Sequence, residues 1–487
     1  MADETKIRVM KFGGTSVGDA ACIRRAAEVI AAGGGSLIAV VSAMSGVTNR
    51  LIAAATASAT GDAQAATDLS HTLRTQHLAA IEILSSDTDT RAQLAAETER
   101  ILVEVVNLCQ DTRLLRGLTP RMLDAISSAG ERLSARLLAN ALSELGLKSE
   151  AVEATSLIVT DNEHGRAEPL MNETRERAKL KLLPMIEEGV VPVVTGFIGA
   201  TLEGTLTTLG RGGSDYSATI LGAALSASEV IIWTDVDGVL TADPRLVSDA
   251  RTLREISYNE AAELAYFGAK VLHPKTLRPV AEACIPVWIR NSFRPEGRGT
   301  KITATGHPTA RGVKAITAIK DVSLITVGGR GIVGLPGVAA KTFAAAAEAR
   351  ANVLLISQSS SGNDICFIVD STEVASTVEM LRRKFAQDLA HHQVEHINVN
   401  TEIAIVAVVG DEMRGTPGVA GRTFSALGRR GINIIAIAQG SSQYNVSFVV
   451  EASAMREAVQ AVHSEFGLER RESRFESPES ESTCARI

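Results

Sequence analysis

Lys11-Phe12-Gly13-Gly14-Thr15-Ser16 sets a cation, two glycines and two hydroxyls directly after Ile7 to Met10, an apolar run with the composition of a buried strand. Glycine lets backbone N–H groups approach an anion closely, and lysine adds a positive charge on a long stem. The stretch therefore suits a phosphate; its bland reading is a Gly-Gly turn closing a strand. It is not a P-loop, because the lysine precedes the glycines and lies on the strand itself. A second anion motif is Gly210-Arg211-Gly212-Gly213-Ser214-Asp215, which opens a helical stretch to about Leu225. A guanidinium grips a carboxylate bidentately, and a helix start adds its own positive field. The alternative is a helix cap made by Ser214 or Asp215, with Arg211 solvated.

Three further motifs carry polar chemistry. Trp233-Thr234-Asp235-Val236-Asp237-Gly238-Val239 ends an apolar run, with Asp243-Pro244-Arg245 close behind; it offers the hydroxyls and shaped loop that a nucleotide needs, or an ordinary Asp-Gly turn. Ser127-Ser128-Ala129-Gly130-Glu131 leads into a helix, where a glutamate serves either the helix dipole or a ligand ammonium group. Phe267-Gly268-Ala269-Lys270-Val271-Leu272-His273-Pro274 adds another lysine near a loop. Apart from His273, these motifs hold no histidine. A kinase acting on a hydroxyl generally wants a base, whereas a carboxylate acceptor, with a pKa of about 4, is already ionised. Lysine, arginine and glycines without an evident base fit phosphoryl transfer to an acid, driven by positioning and charge stabilisation.

The elements that must hold these residues alternate strand and helix. Ile7 to Phe12 reads as a strand, Ala20 to Ala32 as a helix and Ser36 to Ser42 as a strand; about 50 to 145 is helical throughout. Strands follow at Val190 to Phe197, Glu229 to Thr234 and Pro286 to Asn291, with a capping box at Ser257-Tyr258-Asn259-Glu260. This alternation predicts an α/β sandwich with a mainly parallel sheet, whose ligands collect at the carboxyl ends of the strands. Lys11, Ser42 and Thr234 all fall there.

Arg294 to Gly312 reads as a linker. Beyond it, residues 334–370 align without gaps to 415–451, with 15 of 37 pairs identical, which marks an internal repeat. Two copies are too few for a solenoid, so a paired two-module unit is expected. Asn352 to Ser361 and Asn433 to Ser442 each place a glutamine, Gln358 and Gln439, after an apolar strand. An amide of this kind either recognises a small amino acid or closes the strand end.

The bulk composition bounds the rest. At 487 residues two or three domains are expected, and 45% hydrophobic with 22% charged residues is a globular mixture. A net charge of -7 with no basic stripe argues against a nucleic-acid surface. The start carries no hydrophobic leader and no apolar run reaches spanning length, so no membrane role and a cytoplasmic site are expected. The five cysteines lack metal or disulfide spacing.

In this order, the motifs from Lys11 to Pro274, with Val41-Ser42-Ala43-Met44-Ser45-Gly46-Val47-Thr48-Asn49 among them, resemble the aspartate kinases of the amino-acid kinase family across nearly the whole chain. The repeat is similar to tandem ACT modules. The resemblance implies a three-layer amino-acid kinase unit over 1–305, ACT-like α+β modules over 313–395 and 400–470, and a disordered tail over 471–487. It implies that Lys11 meets the transferring phosphoryl group and that Asp215 orients the catalytic groups. Ser42, Thr48, Glu131 and Arg211, with Gly212, Gly213 and Ser214, would hold aspartate. Gly13, Gly14, Thr15 and Ser16 would cradle ATP with Thr234, Asp235, Leu240, Arg245, Lys270 and Val271. Leu240 stands where several relatives carry a tyrosine. Mg²⁺ would ride on ATP phosphates and water, with no protein ligand. Asn352, Gln358, Asn433 and Gln439 would bind an effector, in the pattern of the threonine-responsive type, and a homo-oligomer is expected. The chain stops after the second module, so no dehydrogenase domain is expected. The alternatives are another small-acid kinase of this fold, such as a glutamate kinase, or a non-catalytic amino-acid sensor.

Overall fold

The computed structural model describes residues 6–268, 272–307, 312–332, 336–359, 363–413, 415–440 and 444–469. Lys270, Val271 and the tail over 471–487 lie outside the described residues.

The first unit holds strands β1 (Arg8–Phe12), β2 (Leu37–Val41), β3 (Ser149–Val152), β4 (Val191–Thr195), β5 (Ile198–Ala200), β6 (Leu206–Thr208), β7 (Glu229–Thr234), β8 (Glu255–Ser257), β9 (Val287–Asn291) and β10 (Thr300–Thr303). Its helices are α1 (Ala20–Gly33), α2 (Val47–Ala59), α3 (Ala65–Leu84), α4 (Thr88–Leu115), α5 (Pro120–Ser127), α6 (Ala129–Glu144), α7 (Met171–Glu187), α8 (Gly213–Ala224), α9 (Tyr258–Tyr266) and α10 (Pro274–Glu282). Among the described residues the main sheet runs β3-β4-β2-β1-β7-β9-β10-β8, parallel except between β9 and β10, while β5 and β6 form a separate hairpin.

Side chains alternate across a strand, so β1 feeds both layers. Val9 joins the apolar cluster shared with α7, α8 and α10, while Met10 and Phe12 join the cluster built with α1 to α6. Lys11 alternates with Met10 and Phe12 and therefore faces α8. The register pairs Phe12 with Val41 and Trp233, and Val41 with Thr195, so β1, β2, β4 and β7 end together. That shared edge is the expected ligand side.

The interval read as a linker is partly sheet. Thr300–Thr303 forms β10 between β9 and β8, with Ile302 fully buried. Four residues are too short a run for alternation to stand out against the surrounding glycines and prolines.

The repeat contributes β11 (Ala315–Gly328), β12 (Leu355–Gln358), β13 (Asp364–Asp370), β14 (His396–Val409), β15 (Ala436–Ala438) and β16 (Asn445–Glu451). Its helices are α11 (Val338–Glu348), α12 (Val374–Lys384), α13 (Ala386–Ala390), α14 (Val419–Arg429) and α15 (Met455–Phe466). The six strands make one antiparallel sheet, β12-β13-β11-β14-β16-β15. β11 and β14 pair along most of their length, with a register shift between Ile319 and Leu324. Val322 to Gly328 also pairs with β13, while Ala315 to Ile319 lies opposite the half of β14 that pairs with β16. Each long strand thus serves both modules.

Helix α9 joins the two units. Glu260 closes the capping box with Ser257, forms a buried 2.7 Å ion pair with Lys314, and accepts the Asp411 backbone N–H. Thr317 donates to the Phe267 carbonyl, and Tyr266 donates to that of Val353. A cavity of about 270 Å³ lies beside Phe267, bounded by Leu355, Ile356, Ala438, Asn445 and Ser447. It is lined by the six-stranded antiparallel sheet and its flanking loops together with Phe267, not by the residues at the β1 edge.

Candidate active site

Lys11 Nζ lies 2.6 Å from Asp215 Oδ1, with both side chains largely buried. The contact follows from the fold: Lys11 faces α8, and Asp215 sits in the first turn of that helix. The cap of α8 is Gly212 in left-handed geometry with no side-chain cap bond, so neither Ser214 nor Asp215 caps it. The Asp215 carboxylate serves the lysine instead.

Gly13 and Gly14 pass close under the neighbouring strand ends. The Gly13 N–H donates to the Trp233 carbonyl, and a Cβ on Gly14 would come within 3.0 Å of the Ala43 carbonyl oxygen. Thr15 is exposed beside them. Ser16 is buried, its hydroxyl engaged with Ser292 Oγ at 2.8 Å and the Trp233 carbonyl, so it braces the loop from behind.

Glu131 is buried at the start of α6, and its Oε2 has no hydrogen-bond partner. Burial raises its pKa to about 8, against smaller opposing contributions from the Ala43 backbone, its own backbone and the Lys11 charge. A carboxylate so placed costs free energy unless a cation meets it. Gly130 permits the approach, since a Cβ there would stand 2.5 Å from that of Ala43, in the loop carrying Ser42. Ser42 donates its N–H to the Phe12 carbonyl, and Thr48 lies half-buried in the first turn of α2.

Arg211 is exposed between Gly210 and Gly212, both at positive φ. Each glycine is needed twice over: a Cβ on Gly210 would press the Gly165 carbonyl at 2.8 Å, and one on Gly212 the His273 Cβ at 3.0 Å. His273 is held below its usual pKa by burial first, then by Arg211 and Lys275.

At the far end of the edge, Thr234 accepts Ser292 N–H through its carbonyl and donates its hydroxyl to Asp235. Asp237 is engaged by Asn291 at 2.7 Å and Arg294 at 2.5 Å, which shapes this loop. Leu240 forms an isolated bridge with Thr252. Arg245 is exposed and pairs with Asp243. Helix α15 backs the loop: Arg456 donates to the Arg245 carbonyl and Gln460 to that of Leu246. Asn352 and Gln358 are exposed in one module, and so are the equivalent Asn433 and Gln439 in the other.

Sequence reasoning missed Phe197 and Asp124. Phe197 follows β4 at φ 69, packs against Gly213 and donates its N–H to Ser217 Oγ at 2.9 Å. The strand expected over Val190 to Phe197 ends at Thr195, and the turn at Gly196-Phe197 was hidden inside that apolar run. Asp124 is buried under the loops of the site, and an acid amid the apolar residues of α5 was the available clue.

Comparison with known proteins places this geometry. Residues 6–291 match the amino acid kinase family, and residues 325–385 and 406–466 each match the ACT domain. The lysine-sensitive aspartokinase 3 of Escherichia coli is 34% identical over 94% of this chain and 99% of its own length. The chain belongs to the amino acid kinase family. This amino acid kinase is also 37% identical to the chloroplastic bifunctional aspartokinase/homoserine dehydrogenase 2 of Arabidopsis thaliana, over 95% of the chain and 51% of that protein. The chain spans about half the length of the bifunctional relatives it matches. Among solved structures, E. coli aspartokinase III in complex with aspartate and ADP superposes with a TM-score of 0.80 at 33% identity, covering 94% of this chain and 99% of that one. The same protein with lysine and aspartate gives 0.78 at 33% identity, over 95% and 99% of the two chains.

Proposed function

We propose that this amino acid kinase transfers the γ-phosphoryl group of ATP to the side-chain carboxylate of L-aspartate, giving 4-phospho-L-aspartate and ADP, the entry step to lysine, threonine and methionine. The observation that carries the reading is Glu131, a buried carboxylate with an unpartnered oxygen in the same site as the Lys11–Asp215 pair. The ammonium group of an amino acid supplies the missing cation. Arg211 takes a substrate carboxylate, with Ser42, Thr48 and the Gly212-Gly213-Ser214 turn completing the pocket.

The reacting oxygen is ionised near pH 7, so no side chain need remove a proton. An aspartate carboxylate oxygen attacks the γ-phosphorus, the bond to the bridging β,γ-oxygen breaks, and ADP leaves with that electron pair. Charge moves along this line, and Lys11, aimed by Asp215, meets it. Gly13, Gly14, Thr15 and Ser16 form the phosphate turn. Thr234, Asp235, Leu240 and Arg245 contribute the nucleotide side, together with Lys270 and Val271, which lie outside the described residues. Among the described residues no cluster of three His, Cys, Asp or Glu side chains stands ready for a cation. In this reading Mg²⁺ rides on the ATP phosphates and water.

The reading assigns catalysis to 1–305 and regulation to modules over 313–395 and 400–470. Threonine or lysine is the proposed inhibitor, at sites including Asn352, Gln358, Asn433 and Gln439. A homodimer or larger homo-oligomer in the cytoplasm completes the proposal. No helix among the described residues is long and apolar enough to cross a membrane. ADP formation from ATP, measured with L-aspartate, L-glutamate and nucleoside monophosphates in parallel, tests the substrate. The expected result is turnover with L-aspartate alone; turnover only with another acceptor would replace the reading.

A further inference from the structure

Asp124 stands outside every motif that the mechanism uses, yet its carboxylate is only 2% exposed and takes four hydrogen bonds. Oδ2 accepts His164 Nδ1 at 2.7 Å, the Gly165 N–H at 3.2 Å and the Thr208 N–H at 3.2 Å. Oδ1 accepts the Thr208 hydroxyl at 2.5 Å. A buried carboxylate is a costly way to hold ordinary loops together, and it persists where its bonds are all made.

The segments it joins explain the expense. Asp124 lies on α5, which passes through Ser128 into α6 and so carries Glu131. Thr208 ends β6, three residues before Arg211. His164 and Gly165 belong to the loop against which Gly210 is pressed, at a distance that leaves no room for a Cβ. The ammonium-side and carboxylate-side anchors of the amino-acid pocket thus hang from one carboxylate. The nucleotide-side residues beyond β7 have no bond to it among those of Asp124.

We propose that Asp124, with His164, is a positioning residue that fixes Glu131 relative to Arg211 and thereby sets the affinity for the amino-acid substrate while leaving nucleotide binding alone. The proposal rests on the aspartate kinase reading above. A loosened anchor misplaces a binding group without removing it, so the effect is specific to one substrate.

Steady-state kinetics of the full chain test this, with Asp124→Asn, which preserves shape, and His164→Ala, which alters only the loop side. Melting curves accompany both variants. The expected result is a KM for L-aspartate raised about tenfold or more in Asp124→Asn and by less in His164→Ala, with the KM for ATP within about twofold of wild type. A KM for aspartate unchanged in both variants, or equal rises in both KM values, overturns the positioning role. Wild-type protein that fails to turn over aspartate overturns the underlying reading instead, and that outcome is distinct because it appears before any substitution.

Discussion

Lys11 and Asp215 meet at 2.6 Å because strand alternation turns the lysine toward the helix whose first turn carries the acid. The pair fixes the lysine's direction before any substrate arrives. A preorganised charge of this kind needs no rearrangement when negative charge develops in the transition state.

Lys11→Ala should therefore lower kcat by about 10²–10³-fold or more, in the range seen for loss of one transition-state donor. The fold should survive, which circular dichroism and a melting curve check. Turnover near the wild-type rate would remove Lys11 from the mechanism.

Glu131 links substrate binding to pH. Burial holds its pKa at about 8 in the ligand-free protein, above its ordinary value of 4.5. Because the folded pKa is raised, the stabilisation from this group is complete below pH 4.5 and is lost as pH rises through about 8. Glu131→Gln should thus gain stability over wild type as pH increases across that window. An incoming ammonium favours the ionised form, so aspartate binding near pH 7 should release a proton and tighten toward pH 8. Calorimetry in buffers of different ionisation enthalpy measures that proton; none would appear if Glu131 does not meet the ammonium group.

Gly130→Ala should push α6 away from the Ser42 loop, since the added methyl would sit 2.5 Å from the Ala43 Cβ. Overpacking of this kind costs about 1–3 kcal/mol. A rise in the KM for aspartate should accompany the lower denaturation midpoint; a neutral outcome in both would show that the helix and loop yield freely.

The two units should be coupled through Glu260 and Lys314, both almost wholly buried. Lys314→Met strands the carboxylate and should cost about 3–5 kcal/mol, as for other buried pairs broken on one side. Removing Glu260 as well should not restore stability, because its oxygens also accept the Ser257 and Asp411 N–H groups. A fully recovered double variant would contradict this account.

Gln358→Ala and Gln439→Ala should weaken inhibition by threonine or lysine about fivefold or more while sparing catalysis. Inhibition curves unchanged in both variants would move the effector site elsewhere.

Much of this architecture was legible in the chain. The strand at Glu229–Thr234, the capping box at Ser257 and Glu260, and the repeat of strand, helix and hairpin follow from periodicity and turn chemistry. The α/β fold came with them. What stayed hidden is tertiary. Lys11 and Asp215 are far apart in sequence, and only the strand register shows which face the lysine takes. Thr300–Thr303 is too short to declare itself a strand, and the long β11 serves two modules because its pairing partner changes across a register shift. Asp124 shows in the sequence only as an acid amid apolar residues, because its four donors come from two distant segments.

The central claim is that the acceptor is a carboxylate. Incubation with ATP, L-aspartate and hydroxylamine tests it most directly, because an acyl phosphate is trapped as its hydroxamate whereas a phosphate ester is not. The account predicts aspartyl 4-hydroxamate in step with ADP, both slowed by about 10²–10³-fold or more in Lys11→Ala. Aspartate-dependent ADP release without hydroxamate would contradict it.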